Sequence, residues 1–456
     1  LKLNLCVCEF APLDSKKSCF GKAIRGELFM RIMGDIDRLD REAWLLLLVS
    51  GLFATATALS NSFVNVYLWK IKQDWQLISW FNFMHYLVGA MTFIVAGWVV
   101  KHVDRVIAIR VGVATLSIFY LSVLILGTHS VDYVSGIGAL LGLGAGFFWL
   151  AFNVMYFEIT ERENRDVFNG VNGLIGSIAG ITAPFISGLV ITKVNHFLGY
   201  RIIFGISLGI FLAAVVVSFL FKRRMAKGRF QLGSILALIK SPRNHWFWVT
   251  IAMIAQGMRE GVFGFLIGLL VYVMTQNELT LGSFFTITSL VSLLSFYFVG
   301  RFMKPARRNH FIFFGSLMMG LVVLPFVFQV SSWSLFVLGI GAALFYPLFM
   351  SPLTSTVFDV IGETEQTAQK RVEYVVSREL AISLGKLISI AFFIYWVGVS
   401  PKIEHIRWFI LIVGFSQMLA WLAQRHVPIL QPQREKESLV SNQKTVTHPN
   451  DTKPQT

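Results

Sequence analysis

The chain has 456 residues, 55% of them hydrophobic and only 14% charged, with 42 phenylalanines. That balance excludes an ordinary soluble enzyme of this size and identifies an integral membrane protein. The formal net charge of +15 would suit nucleic acid, but the cations fall in short stretches between apolar runs and not on one face, so no nucleic-acid partner is expected.

In chain order, the first stretch is the least like the rest. Cys6, Cys8 and Cys19 are the only cysteines, so the body of the protein has neither a disulfide framework nor a cysteine metal site. Arg25-Gly26-Glu27 stands a few residues before Met30, and its codons can spell a ribosome-binding sequence. Residues 1–29 are therefore expected to be an untranslated or non-native leader, with the natural start at Met30 or Met33. They contain no apolar core of the length a secretory signal needs.

A helix must be about 20 residues long to cross about 30 Å of hydrocarbon. Runs of that length are predicted at about Trp44–Val66, Leu77–Val100, Val106–Leu126, Tyr133–Phe157, Val167–Ile191 and Ile203–Phe221. A second set follows at about Trp246–Val273, Leu279–Val299, Phe311–Val330, Leu335–Phe358, Tyr374–Val399 and Ile406–Ala423. Between the sets lies Phe221–Pro242, the most cationic stretch, with Lys222, Arg223, Arg224, Lys227, Arg229 and Lys240. The predicted division is an N-terminal bundle over 30–221, a basic hinge loop over 222–245, a C-terminal bundle over 246–425 and a disordered tail over 426–456. The tail is too polar to bury a core. Lys and Arg crowd into the loops on the hinge side, whereas opposite loops such as Thr128-His129-Ser130-Val131-Asp132 lack them. The positive-inside rule then puts the hinge and both termini in the cytoplasm and the protein in the cell membrane.

Glycines recur in the fourth span at Gly138, Gly142 and Gly146, a spacing that lets helix backbones approach closely. Pro184 in the fifth span and Pro347 and Pro352 in the tenth are predicted to bend their helices. Two patterns repeat. Gly97-x3-Lys101-x3-Arg105 returns as Gly300-x3-Lys304-x3-Arg308, and LGLGAGFFWLAF from Leu141 returns as LGIGAALFYPLF from Leu338. Both echoes are separated by roughly 200 residues, which argues for duplicated six-helix halves.

At these residues the chain resembles the major facilitator superfamily of secondary transporters, over about Trp44–Ala423, and it is similar within it to a bacillar YqgE-like group. The family's signature after span two places a Gly, an Asp four residues on, and an Arg-x-Gly-Arg-Arg cluster. Gly97 and Arg105 fit it, while Lys101 stands at the Asp and Asp104 at the second Gly. Gly180-Ile-Thr-Ala-Pro184-Phe-Ile-Ser-Gly188 partly fits a span-five pattern of the drug antiporters. The resemblance implies an all-α fold of two pseudo-symmetric six-helix bundles, a small-molecule solute, a coupling ion that is a proton by default, action as a monomer, and no cofactor or metal. It implies no enzyme, and no catalytic set, metal cluster or nucleotide loop is visible in the residues. A membrane-embedded solute sensor is the alternative reading.

Ionisable residues inside a span are costly and mark a cavity or a partner. They fall in the second half: Arg259 and Glu260 in span seven, Arg378, Glu379 and Lys386 in span eleven. At about 1.5 Å per residue, Glu260 and Lys386 share one depth. Arg378 and Glu379 lie nearer the cytoplasmic mouth, at the level of Asp359. With Glu158 and the repeated Gly97, Lys101, Arg105, Gly300, Lys304 and Arg308 they are candidates for an inner gate. Because successive helical residues do not face each other, Arg259 and Glu260 are each expected to seek partners on other helices. Three roles stand for the Arg259–Glu260–Lys386 group: helix packing only, solute contact, or proton coupling through Glu260. An excess of cations over carboxylates favours an anionic solute if all five share a cavity. Asn61, Asn153, Trp149 and Tyr346 are candidate cavity-lining residues, with helix packing as the plainer role.

Overall fold

The structure is a computed structural model that describes residues 39–160, 164–194, 197–223, 229–362, 364, 367 and 369–427. The expected leader, and the expected tail beyond Val427, lie outside the described residues. Among those described, twelve helices are long and apolar enough to cross a membrane. They are α1 (Arg41–Ile71), α2 (Trp75–His102), α3 (Arg105–Val131), α4 (Val134–Ile159), α5 (Val167–Lys193) and α6 (Phe197–Ser218) in the first half. The second half holds α7 (His245–Thr275), α8 (Glu278–Phe302), α9 (Arg308–Phe328), α10 (Ser332–Ile361), α11 (Arg371–Val399) and α12 (Ile403–Gln424).

Short polar side chains set where several spans begin. Asp40, Asp74, Asp104, Asn244, Asn277 and Ser331 each accept a hydrogen bond from a backbone N–H in the first turn of the helix that follows, satisfying donors that have no partner within the helix. The spans therefore start a few residues before the apolar runs do. Two are interrupted: α9 breaks between Leu321 and Leu324, ahead of Pro325, and α12 breaks between Gly414 and Gln417. Helix α5 continues through Pro184, and α10 through Pro347 and Pro352.

The halves repeat one packing scheme. In the first, α4 packs on α2 and α3, α1 on α5 and α6, and α3 on α6; in the second, α10 packs on α8 and α9, α7 on α11 and α12, and α9 on α12. The glycine stripe of α4 explains its seam with α2. A Cβ at Gly142 would fall 2.8 Å from the Gly89 nitrogen, and one at Gly146 would fall 2.8 Å from Thr92 Cβ. No side chain larger than hydrogen fits there. The halves meet along two seams related by the same repeat, α2 against α11 and α5 against α8. With twelve crossings, both described ends of the chain and the described parts of the basic segment lie at one end of the bundle, here the hinge end; the other is the far end.

Candidate functional site

Three cavities of about 400, 360 and 420 Å³ lie between the halves. They adjoin: Trp149 lines the first and second, Phe285 the second and third, and Tyr86 and Lys386 the first and third. In their combined wall Arg259 and Glu260 of α7 gather with Arg378, Glu379 and Lys386 of α11.

Close approach of α7 and α11 creates the central cluster. Gly261 of α7 lies so near α11 that a Cβ would fall 2.7 Å from Lys386 Cα, and one at Gly385 of α11 would fall 2.9 Å from the Ile254 carbonyl carbon. With the backbones in contact, Lys386 Nζ stands 3.5 Å from Glu260 Oε2. The other carboxylate oxygen accepts from Gln256 Nε2 at 2.7 Å and from the Tyr346 hydroxyl at 3.2 Å. Lys386 also lies over the Tyr86 ring, 4.8 Å from its centroid, and Tyr86 stacks on His85. The shared depth read from the sequence thus becomes an ion pair, and Gln256 and Tyr86 join it unannounced by any charge.

Arg259 is different. It was expected to find a partner on another helix, yet only 5% of its surface is exposed and no acceptor reaches its Nε or Nη2. Its guanidinium rests on the Phe263 ring, 4.2 Å from the centroid, in the wall of the 420 Å³ cavity. The buried Gln256 Oε1, one turn away, also lacks a donor.

Arg378 and Glu379 pair with each other at 2.8 Å, contrary to the expectation for adjacent helical residues, because both side chains are long enough to turn into the same space. That space is the 400 Å³ cavity, which they line with Lys386, Trp149 and Asn153, and the Arg378 guanidinium also lies 5.8 Å from the ring centroid of Phe358, the neighbour of Asp359. Asn153 donates to the Trp149 carbonyl at 2.8 Å. Asn61 is exposed in the wall of the 360 Å³ cavity with Trp149, Gly180 and Ser289.

Hinge-end residues form pairs that the repeat foreshadows. Arg105 Nη2 bonds Glu158 Oε1 at 2.6 Å, tying the start of α3 to the end of α4. Arg308 bonds Asp359 in the same way between α9 and α10. Phe157 and Phe358, each one residue before its acid, meet edge to face across the halves at 5.9 Å. The α2/α11 seam is closed by a pair that sequence reasoning missed: Lys101 Nζ lies 3.2 Å from Glu373 Oε1. The same oxygen accepts the Gln231 N–H at 3.1 Å, beside the short hinge helix Leu232–Leu238. Phe230 and Val376 pack over Gly97. The available signal was Lys101 itself, a cation at the family's acidic position, which calls for a carboxylate across the seam.

At the far end Lys70 Nζ bonds Glu278 Oε1 at 2.7 Å, joining α1 to α8. Tyr200 donates to that oxygen at 3.1 Å. Gly300 has no atom within 4 Å of its would-be Cβ and Lys304 is exposed, so in the second copy of the motif Arg308 ties α9 to α10 while Gly300 and Lys304 close no seam between the halves among the described residues.

Residues 46–369 match the Major Facilitator Superfamily. Uncharacterized protein YqgE of Bacillus subtilis (strain 168) is 38% identical over 420 residues, covering 92% of this chain and 97% of that protein. An uncharacterized protein in the sodM 3' region of Geobacillus stearothermophilus is 42% identical over 176 residues, 39% of this chain and 82% of that sequence. Among solved structures, a bacterial homologue of the iron transporter ferroportin in its inward-facing state superposes with a TM-score of 0.61 at 15% identity, covering 84% of this chain and 97% of that one. The outward-facing state with soaked iron gives 0.60 at 16% identity, over 84% and 98% of the two chains; at such identity the likeness is one of fold. With its twelve spans, its duplicated packing scheme and a match over most of its length, the chain belongs to the Major Facilitator Superfamily and is a multi-pass membrane transporter.

Proposed function

We propose that the protein is a secondary transporter that moves a small solute by alternating access, with Glu260 as the carboxylate that carries a coupling proton. The observation behind this reading is the position of the Glu260–Lys386 pair, held by α7, α10 and α11 in the wall of the chamber between the halves. The proton affinity of a carboxylate rises as an ammonium partner moves away from it. A rocking motion of the halves would supply such a change.

By the positive-inside rule the hinge end faces the cytoplasm. Toward that end Gly170, Gly173 and Gly176 of α5 and Gly300 of α8 have nothing within 4 Å of a would-be Cβ, so the chamber can load from the cytoplasm, as efflux requires. The iron of the ferroportin homologues does not carry over. Arg259 and Lys386 in the cavity wall repel a divalent cation.

The test is flux of a panel of labelled solutes in proteoliposomes, with and without an imposed proton gradient, comparing the parent with Glu260→Gln. Gradient-driven movement in the parent that falls at least tenfold in the variant is expected. Equal movement by both would make Glu260 a packing residue. A parent that moves nothing across the panel would favour a solute sensor.

A further inference from the structure

Arg259 lies in the field of Tyr346 and Glu260, but no hydrogen-bond acceptor reaches its Nε or Nη2. A guanidinium is charged at any physiological pH, and burying it without a partner is among the costliest arrangements a protein can hold. Here it is nine-tenths buried or more, its Nε and Nη2 have no acceptor, and it lines an open cavity of about 420 Å³. The only carboxylate in the same wall, Glu260, already takes Lys386, Tyr346 and Gln256. A planar fork of donors held ready in this way matches a carboxylate, which it binds with two parallel hydrogen bonds.

We propose that the solute is an organic monocarboxylate, its carboxylate bound by Arg259 and its apolar body seated against Phe284 and Phe285. Charge balance selects the monoanion. Arg259 and Lys386 against Glu260 leave one positive charge in this wall, which one carboxylate cancels. The rest of the wall selects the body. Phe263, Phe284 and Phe285 provide aromatic surface, and Gly264, Gly268, Gly339 and Ala342 leave room beside it. Inorganic phosphate would meet the cation but leave this surface unused, whereas a volume of this size suits a small organic molecule. The Phe263 ring under the guanidinium holds the fork in place before the solute arrives, so little side-chain freedom is lost on binding.

This assignment rests on the transport reading, and a binding experiment separates the two. Purified full-length protein in nanodiscs would be titrated with benzoate, 3-phenylpropanoate and octanoate, each against its own uncharged amide, following tryptophan fluorescence, to which Trp149 in the adjoining cavity contributes, and thermal unfolding. At least one acid is expected to bind tenfold or more tightly than its amide. Arg259→Gln should lose that preference, and Arg259→Lys, which keeps the charge but not the fork, should retain part of it. Parent-like unfolding of both variants without ligand would show that they fold; should Arg259→Gln not fold, the weakened preference of Arg259→Lys carries the same test. Amides that bind as well as their acids, acids that none of the preparations bind, or an acid preference that survives in both variants would each overturn the assignment. Acid binding without movement in proteoliposomes would instead sink the transport reading and leave this one standing.

Discussion

The seams α2/α11 and α5/α8 are related by the internal repeat, yet only one of them is closed along its length. On α2/α11, Lys101 meets Glu373 at the hinge end, Lys386 meets Tyr86 in the middle, and Gly398 sits against Gln76 at the far end. On α5/α8 the far half is equally tight. A Cβ at Gly188 would fall 3.1 Å from Leu279 Cα, Thr286 donates to the Ile181 carbonyl at 2.8 Å, and Thr192 accepts the Leu279 N–H at 3.1 Å. Toward the hinge end the contact ends: Gly170, Gly173 and Gly176 on α5 and Gly300 on α8 have nothing within 4 Å of a would-be Cβ. The repeat lays down the same helices twice, and side chains decide which seam shuts. Lys101 has a buried carboxylate opposite it, whereas Lys304 is exposed.

The strongest way to break this comparison is Glu373→Gln. The substitution keeps an acceptor for the Gln231 N–H but removes the charge that faces Lys101, and the two side chains are only 1% and 14% exposed. Leaving one buried charge alone costs about 3–5 kcal/mol. A large drop in melting temperature is expected, together with faster labelling of a cysteine placed at the buried Val100 in a chain whose own cysteines are replaced. The exchanged pair Lys101→Glu with Glu373→Lys should recover much of the loss. If the single variant melts and labels like the parent, the seam is held by packing around Gly97 and not by charge.

At the other end Glu278→Gln tests the far-end closure. Lys70 is 23% and Glu278 10% exposed in the side chain, so water tempers the effect to about 1.5–3 kcal/mol, the range for a hydrogen bond to a charged group. Labelling from the far side at Leu281, which is fully buried, should rise. Unchanged labelling would mean that the Gly188 contact alone keeps that end shut.

Much of this architecture was legible in the residues and part of it was not, for one physical reason. Length and apolarity give the spans, because crossing hydrocarbon requires both. Repeated motifs predicted two halves, and counting rise per residue put Glu260 level with Lys386. What hydropathy does not encode is rotation about the helix axis: in a membrane the face toward lipid and the face toward another helix are both apolar, so the pattern that orients a helix in a soluble protein is missing. Trp80 and Trp98 on α2 are exposed while Phe81 is buried, with nothing in their chemistry to distinguish them. Hence the partners that depend on rotation, Glu373 for Lys101, Glu278 for Lys70, Gln256 for Glu260, and the mutual pairing of Arg378 with Glu379, emerged only from the structure.

Glycine substitutions along α5 should sharpen the contrast by changing sign. Gly188→Ala places a methyl against the Glu278 and Leu279 main chain and is expected to destabilise by about 1–3 kcal/mol. Gly176→Ala meets nothing and should stabilise by about 0.5–1 kcal/mol, since alanine loses less backbone freedom in a helix. Melting curves of the two variants decide it, and the same sign for both would contradict a seam that is closed at one end and open at the other.

The smallest effect on stability is expected at Lys304, and it carries the most information about motion. Its side chain is exposed, so Lys304→Ala should shift stability by no more than about 0.5 kcal/mol. If the halves rock, however, the hinge-end parts of α5 and α8 must approach as those of α2 and α11 separate, and Lys304 would then enter the position relative to α5 that Lys101 now holds relative to α11. The initial rate of solute movement in proteoliposomes should therefore fall severalfold in Lys304→Ala although its melting curve matches the parent's. A rate as unaffected as the stability would show that the second copy of the motif takes no part in the cycle, and that the two seams, alike in sequence, do not exchange roles.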